Sequence, residues 1–457
     1  MTHHLRLALV PAFLLLCLIL GGASAAGIWA NMLLQLLAIP IIVWAVIVRR
    51  GTPMPAPARR LLMGLFLLLL LIAAQLVPLP PSIWTSLPGR ESVAEGYRLL
   101  NLPLPWMPIS LAPNSTLSSA LWLLPAIAML LGIIRIGAFK TAWIAWVIAL
   151  VATASVMIGA LQVVGGDQSP WYFYTITNRG ATTGFFANAN HMATLLVCAI
   201  PFLASLYLGG RGRGKSSRRA SGMFVILAGA LAVILVGVVI NGSLAGIGLA
   251  IPAAFASFLM IWSRKRKLPR WVWGGVAALL AGAAILVYNV PFSNNNLTGE
   301  GKSASDSRFY SFSLSSEAAA DYFPVGSGIG TFVRIFQMYE DPGTVDRYYM
   351  NHVHGDYIEI ALETGIAGVL LIALFLLWWA SRAVRIWGAE EPDYYARAAT
   401  IASAAILVHS IVDYPLRTAA ISALFAVCCA LMAEPRARER SRKKETADNR
   451  PRHLSAD

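Results

Sequence analysis

The run His352-Val353-His354-Gly355-Asp356-Tyr357 sets two imidazoles and a carboxylate close together. Imidazole titrates near neutral pH, so such a run can take and return a proton. Ile358, Ala361, Leu362 and Gly365 recur three to four residues apart, which predicts a helix beginning near Asp356. His354 then stands at or just before the helix N-terminus, with Asp356, Glu359 and Glu363 on one stripe. A helix-capping or interfacial histidine is the plainer use of that position. His352 and His354 with Asp356 and Glu359 would bind a metal only if the loop supplied a compact third ligand, and it does not. Two arginines add a second chemistry: Arg179 in Thr177-Asn178-Arg179-Gly180, and Arg308 in Asp306-Ser307-Arg308-Phe309. Near a membrane, guanidinium groups either reach along their stems to lipid phosphate or hold a phosphate substrate by forked hydrogen bonds. Beside a histidine, the pair suits a site that grips a diphosphate leaving group while a base activates an acceptor hydroxyl.

Other polar positions have plainer readings beside the functional ones. Asn188 and Asn190 lie where a helix enters the membrane, fit for capping or for a sugar hydroxyl. Asp413-Tyr414-Pro415-Leu416-Arg417 joins the last two helices and reads as an Asp–Arg turn, with Arg417 also a candidate substrate contact. Gly326-Ser327-Gly328-Ile329-Gly330 lacks the Lys-Ser/Thr of a nucleotide phosphate loop and reads as a tight backbone turn.

The elements that must carry these groups are membrane helices. The 457 residues are 57% hydrophobic and 13% charged, with a mean hydropathy of +0.65. A soluble chain of this length needs more polar surface. Apolar runs, each near the roughly 20 residues that cross a bilayer, predict an all-α polytopic membrane protein of about twelve spans. These lie near Leu5–Gly22, Ile28–Val48, Leu61–Val77, Leu117–Ile134, Thr141–Val163, His191–Leu208, Met223–Ile240, Leu244–Trp262, Trp271–Val290, Ile358–Ala380, Ala398–Val412 and Thr418–Met432. The first run, followed by Ala23-Ser24-Ala25, could also serve as a signal peptide. The repeated later spans favour a first membrane helix. The expected organisation is one transmembrane domain over 1–432, with outward loops about 78–116, 164–190 and 291–357, and a basic tail at 433–457.

A net charge of +14 could suggest nucleic acid, but its placement argues against it. With both termini cytoplasmic, most of the 36 Lys and Arg fall inside, including Arg264-Lys265-Arg266-Lys267, as the positive-inside rule requires. These clusters are expected to face membrane lipid. The basic residues left outside are Arg90, Arg98, Arg179, Lys302, Arg308, Arg334, Arg347 and Arg417, which need another reason to be there. The four cysteines (Cys17, Cys198, Cys428, Cys429) lie in apolar segments without metal-type spacing and read as small buried side chains. In the first outward loop, prolines and Trp84 and Trp106 predict a membrane-hugging segment with a short helix near Glu91–Leu100. In the third, a helix is expected from Asp306 to Tyr322, stopped by Pro324.

Three blocks, Arg179–His191, Arg308–Phe332 and His354–Gly368, occur in order on the outward side. Together they resemble the O-antigen ligase family of bacterial envelope glycan transferases, which includes O-antigen polymerase-like and protein O-oligosaccharyltransferase relatives. The resemblance covers about Gly165–Gly368, and its most specific part is His354-x-Asp356-Tyr357 with Glu363-x-Gly365-x-x-Gly368. It implies an inner-membrane enzyme of C-type glycosyltransferase fold. Such an enzyme moves a glycan from undecaprenyl diphosphate to lipid A-core or another hydroxyl acceptor at the periplasmic face, with inversion and without cofactor or metal. Arg179 and Arg308 correspond to the family's diphosphate-contacting arginines and His354 to its essential histidine. Where the family often has Asn after that histidine, this chain has Gly355, and His352 is an additional histidine. A transporter of lipid-linked glycan or anions is the reading from another class. Transporters place ionisable groups near the bilayer midplane, whereas these spans hold few, chiefly Glu363 and His409.

Overall fold

The computed structural model describes residues 3–25, 28–48, 53–210, 217–263, 274–275, 282, 301–344 and 350–434. Their helices are α1 (His3–Leu20), α2 (Trp29–Ile47), α3 (Ala56–Gln75), α4 (Pro81–Trp84), α5 (Glu91–Leu99), α6 (Pro113–Trp122), α7 (Leu124–Leu131), α8 (Thr141–Val164), α9 (Ala189–Gly210), α10 (Ser217–Asn241), α11 (Leu244–Trp262), α12 (Gly301–Asp321), α13 (Phe332–Tyr339), α14 (Asp356–Trp387), α15 (Tyr394–His409) and α16 (Ala419–Ala433). One small antiparallel ribbon, β1 (Pro78–Leu79) with β2 (Met107–Pro108), pairs Pro78 with Pro108 and Leu79 with Met107.

Among the described residues, eight helices are long and apolar enough to cross a membrane. They include α14 and the continuous run Pro113–Ile136, formed by α6, α7 and a π-helical turn. The expected span near Trp271–Val290 falls almost wholly outside the described residues. Three more expected spans form shorter helices. The 15 residues of α16 rise only about 22 Å, less than a hydrocarbon core of about 30 Å. Burial resolves the shortfall: α16 is apolar all round and buried along its length, as suits a helix surrounded by others rather than by lipid. The helix α9 is its counterpart, packed by α8, α10, α11 and α15. Around them α2, α3 and α10 turn Leu, Val and Ile outward.

The two ends of the bundle differ in chemistry. At one end arginines bind carbonyls at the ends of other helices. Arg135 donates to Ala45 O and Val48 O, Arg382 to Met432 O, Arg397 to Trp387 O, and Arg6 to Ile136 O. A cation at a helix C-terminus satisfies orphan carbonyls and complements the dipole. The bond from Arg382 also explains why α14 runs on to Trp387 rather than ending near Ala380.

The opposite end carries a second, smaller core of Ala318, Tyr322, Phe332, Ile335, Phe336, Val353 and Leu362, contributed by α12, α13 and the start of α14. The helix expected over Asp306–Tyr322 is present as α12, and that near Glu91–Leu100 as α5. The glycine run between α12 and α13 spends its backbone on packing. Gly326 N donates to Tyr322 O, Ser327 N to Leu362 O and Gly328 N to Glu363 O. Ile329 N donates to Gln75 Oε1 and Gly330 N to Glu363 Oε1. With every one of these N–H groups occupied, the run is a docking turn and not a phosphate cradle. It docks into an interruption of α14 at Gly365, whose φ of 57° is left-handed. There Ile366 N donates to Pro324 O at 2.9 Å, and any Cβ would strike that carbonyl.

Candidate active site

The helix expected from Asp356 begins there, and the stripe Asp356, Glu359, Glu363 is buried on one face. Three carboxylates on successive turns repel one another unless a cation lies among them. Arg417, on the return between α15 and α16, is that cation. Its Nε lies 3.4 Å from Asp356 Oδ1, and its Nη2 lies 3.3 Å from Glu359 Oε1 and 3.4 Å from Glu363 Oε2. Burial works against the guanidinium, yet Glu359, Glu363 and Asp356 together raise its pKa and hold it firmly protonated. Its donors are thus turned to the protein's own carboxylates. Remaining acceptor positions are filled: Ser410 Oγ donates to Asp356 Oδ2 at 2.8 Å, and Val353 N donates to Glu359 Oε2 at 3.0 Å.

The two histidines rest on this frame. His352 Nδ1 lies 2.8 Å from Glu359 Oε1. Val353 between them is buried, and its carbonyl accepts from Ser311 Oγ of α12. His354 adopts a φ of 60°, a left-handed conformation uncommon for a residue with a Cβ. Such conformations persist where the surroundings over-determine them, and they concentrate at functional positions. His354 Nδ1 faces Asp413 Oδ1 at 3.4 Å, longer than a tight N–H···O bond. Catalytic pairs are often that loose before substrate binds.

Asp413 is fully buried, and its ion-pair partners among the described residues are all imidazoles: His354, His191 at 3.9 Å and His409 at 3.9 Å. Burial alone would raise its carboxyl pKa. The contact with His354 and the electrostatic interactions with His191 and His409 overcome that and hold it well below the ordinary carboxylate range. His409 is itself fixed by Thr194, with Nδ1 2.7 Å from Oγ1. Next in sequence, Tyr414 offers its ring to three imidazoles at once: centroids lie 5.0 Å from His191, 4.6 Å from His352 and 4.9 Å from His354. Its hydroxyl meets Asn351 and Asn188. Two histidine–carboxylate pairs therefore share one aromatic spacer.

Asn188 and Asn190 serve the start of α9. Asn188 Oδ1 accepts from Asn190 N at 2.8 Å, and Asn190 Oδ1 accepts from Ser243 Oγ of the α11 entry at 2.8 Å. The loop 165–188 before them is organised by Gln162, whose Oε1 accepts from Thr183 N and Gly184 N while its Nε2 donates to Trp171 O and Gly184 O. On that loop Arg179 is exposed, donates to Asp167 O at 2.6 Å and lies over the Tyr172 ring. No described contact joins Arg179 to the histidines. Its neighbour Asn178 does tie the loop to α9, accepting from Ala189 N. Arg308 falls within α12, but its side chain lies outside the described residues. The Lys302 side chain, also in α12, and the whole of Arg347 are outside them likewise. Among the described residues no cluster has the geometry to hold a metal ion.

Helical spacing groups Asp356, Glu359 and Glu363 on one stripe, whereas position along the chain gives Asp413 only a turn and gives Tyr414, His191 and His409 no part in a site. A signal for them was present. Asp413 is the one acidic residue between Asp393 and Glu434, and His409 precedes it by one helical turn.

Residues 229–373 match the family model described as O-antigen ligase. The matched stretch holds α12, the glycine run, both loop histidines and the carboxylate stripe, and it ends before Asp413 and Arg417. No curated protein matches the chain.

Proposed function

We propose that this chain, whose residues 229–373 match the O-antigen ligase family, transfers a glycan from undecaprenyl diphosphate to an acceptor hydroxyl. The acceptor is most simply lipid A-core at the periplasmic face of the bacterial inner membrane. The observation that carries the reading is the His354–Asp413 pair, set at the end of the bundle opposite its arginine-capped helix ends. His354 takes the acceptor proton, and Asp413 fixes the imidazole by facing Nδ1, leaving Nε2 for substrate. Base catalysis of this kind contributes roughly 10²- to 10⁴-fold. Arg179 and Arg308 neutralise the diphosphate as the anomeric bond breaks, each charge-assisted contact supplying about 1.5–3 kcal/mol. Attack opposite the departing diphosphate inverts the anomeric carbon.

A transport role draws less support. Three of the described buried carboxylates gather with Arg417 at one end of the bundle, and the fourth, Asp413, lies on the same α15–α16 return, whereas transporters carry such groups near mid-span. The test is deletion of the gene followed by gel analysis of lipopolysaccharide. Loss of the whole ladder with accumulation of lipid-linked polymer, restored by the wild-type gene and not by His354→Ala, is expected. A single repeat on the core would reassign the protein to polymerisation, and an unchanged ladder would remove envelope O-antigen from its role.

A further inference from the structure

Base catalysis at His354 leaves the second pair, His352 with Glu359, without a task. The two pairs differ in what else their carboxylates meet. Among the described residues Asp413 pairs with imidazoles and accepts from Tyr414 N, with no guanidinium beside it. Glu359 also faces Arg417 and accepts from Val353 N, so its charge is largely answered before His352 is counted. His352 is therefore the imidazole set beside a carboxylate that already carries a cation. Both side chains are partly exposed, 17% for His352 and 20% for His354, and in both the nitrogen left for substrate is Nε2. Tyr414 lies between them and sets their spacing.

We propose that His352 is a second catalytic residue of the same transfer, the general acid that protonates the leaving diphosphate while His354 deprotonates the acceptor. The inference rests on the glycan-transfer reading. The acceptor O–H bond breaks and its proton goes to His354. The acceptor oxygen forms the new bond to the anomeric carbon. The bond from that carbon to the diphosphate oxygen breaks, and this oxygen keeps the electron pair and takes the proton of His352. The resting state returns when His354 releases its proton and His352 regains one, both through water at the exposed edges. The titratable groups around His352 are Glu359, Asp356 and Glu363 of α14, Arg417 and Tyr414 of the return, and His191 of α9.

The test is the pH profile of kcat/KM for full-length protein in proteoliposomes supplied with lipid-linked glycan and acceptor. A base must be unprotonated, so its limb falls toward acid; an acid must be protonated, so its limb falls toward alkali. Wild type should give both limbs. His352→Gln should lose the alkaline limb and about a hundredfold in rate while keeping the acid limb, and His352→Asn should behave alike. Retention of the alkaline limb or of the wild-type rate in both variants overturns the division of labour and leaves glycan transfer standing. Wild-type protein that moves no glycan overturns both.

Discussion

His354 and Asp413 come from different helical hairpins, yet Nδ1 of one lies 3.4 Å from Oδ1 of the other. One backbone bond locks the two at that point, Asp356 N donating to Ser410 O, while Asp413 N donates to His409 O within its own return. The pair is thus a product of tertiary packing. Asp413→Asn keeps the shape and removes the carboxylate that His354 faces among the described residues. Glycan transfer by the reconstituted variant should fall by about a hundredfold or more, with normal amounts of protein in the membrane. A wild-type rate would reduce Asp413 to a turn residue.

Arg417 answers three buried carboxylates. Arg417→Met leaves them facing one another without a cation, at a cost of about 3–5 kcal/mol. Thermal unfolding in detergent should show it as a markedly lower midpoint. The deficit should narrow as pH is lowered, because protonation of the carboxylates removes the charges that the guanidinium opposes. An equal deficit at every pH would mean that Arg417 acts by packing.

Gly365→Ala tests the interruption of α14. A side chain at φ 57° costs about 1 kcal/mol or more by itself, and here the Cβ also meets the carbonyl of Pro324. The expected result is loss of stability and of transfer together, since the glycine run and the site helix are docked through this point. Ordinary stability with full activity would show that the run docks elsewhere.

Arg179→Ala should separate stability from activity. The side chain is exposed and bonded within its own loop, so unfolding should change by no more than about 0.5 kcal/mol. Transfer should fall about ten- to a hundredfold, the equivalent of one lost charge-assisted contact to diphosphate. A large stability loss without that rate effect would mark the arginine as structural.

The membrane class was legible because apolar runs report burial directly, and the boundaries Leu244–Trp262 agree residue for residue between sequence and structure. The carboxylate stripe was legible because helical periodicity puts Asp356, Glu359 and Glu363 on one face. What answers that stripe was not, since Arg417 reaches it only when the α15–α16 return folds against α14. The same holds for Asp413, read as half of an Asp–Arg turn. In the fold each of the two turns to a different set of partners, Asp413 to imidazoles and Arg417 to carboxylates. Periodicity is local, whereas the pairing of charges depends on which ends of which helices meet.

The left-handed step at Gly365 has a mechanical side. Membrane helices lean to match the thickness of the lipid around them, and a continuous α14 would carry that lean straight into the histidine loop. Here the first turns of α14, with Asp356, Glu359 and Glu363, are clamped to Gln75 and to the glycine run. The segment beyond Gly365 is a separate rod. The step breaks the unbroken helix between that rod and the histidine loop, so the rod's lean is not handed on by continuous helix to the turns that hold the imidazoles.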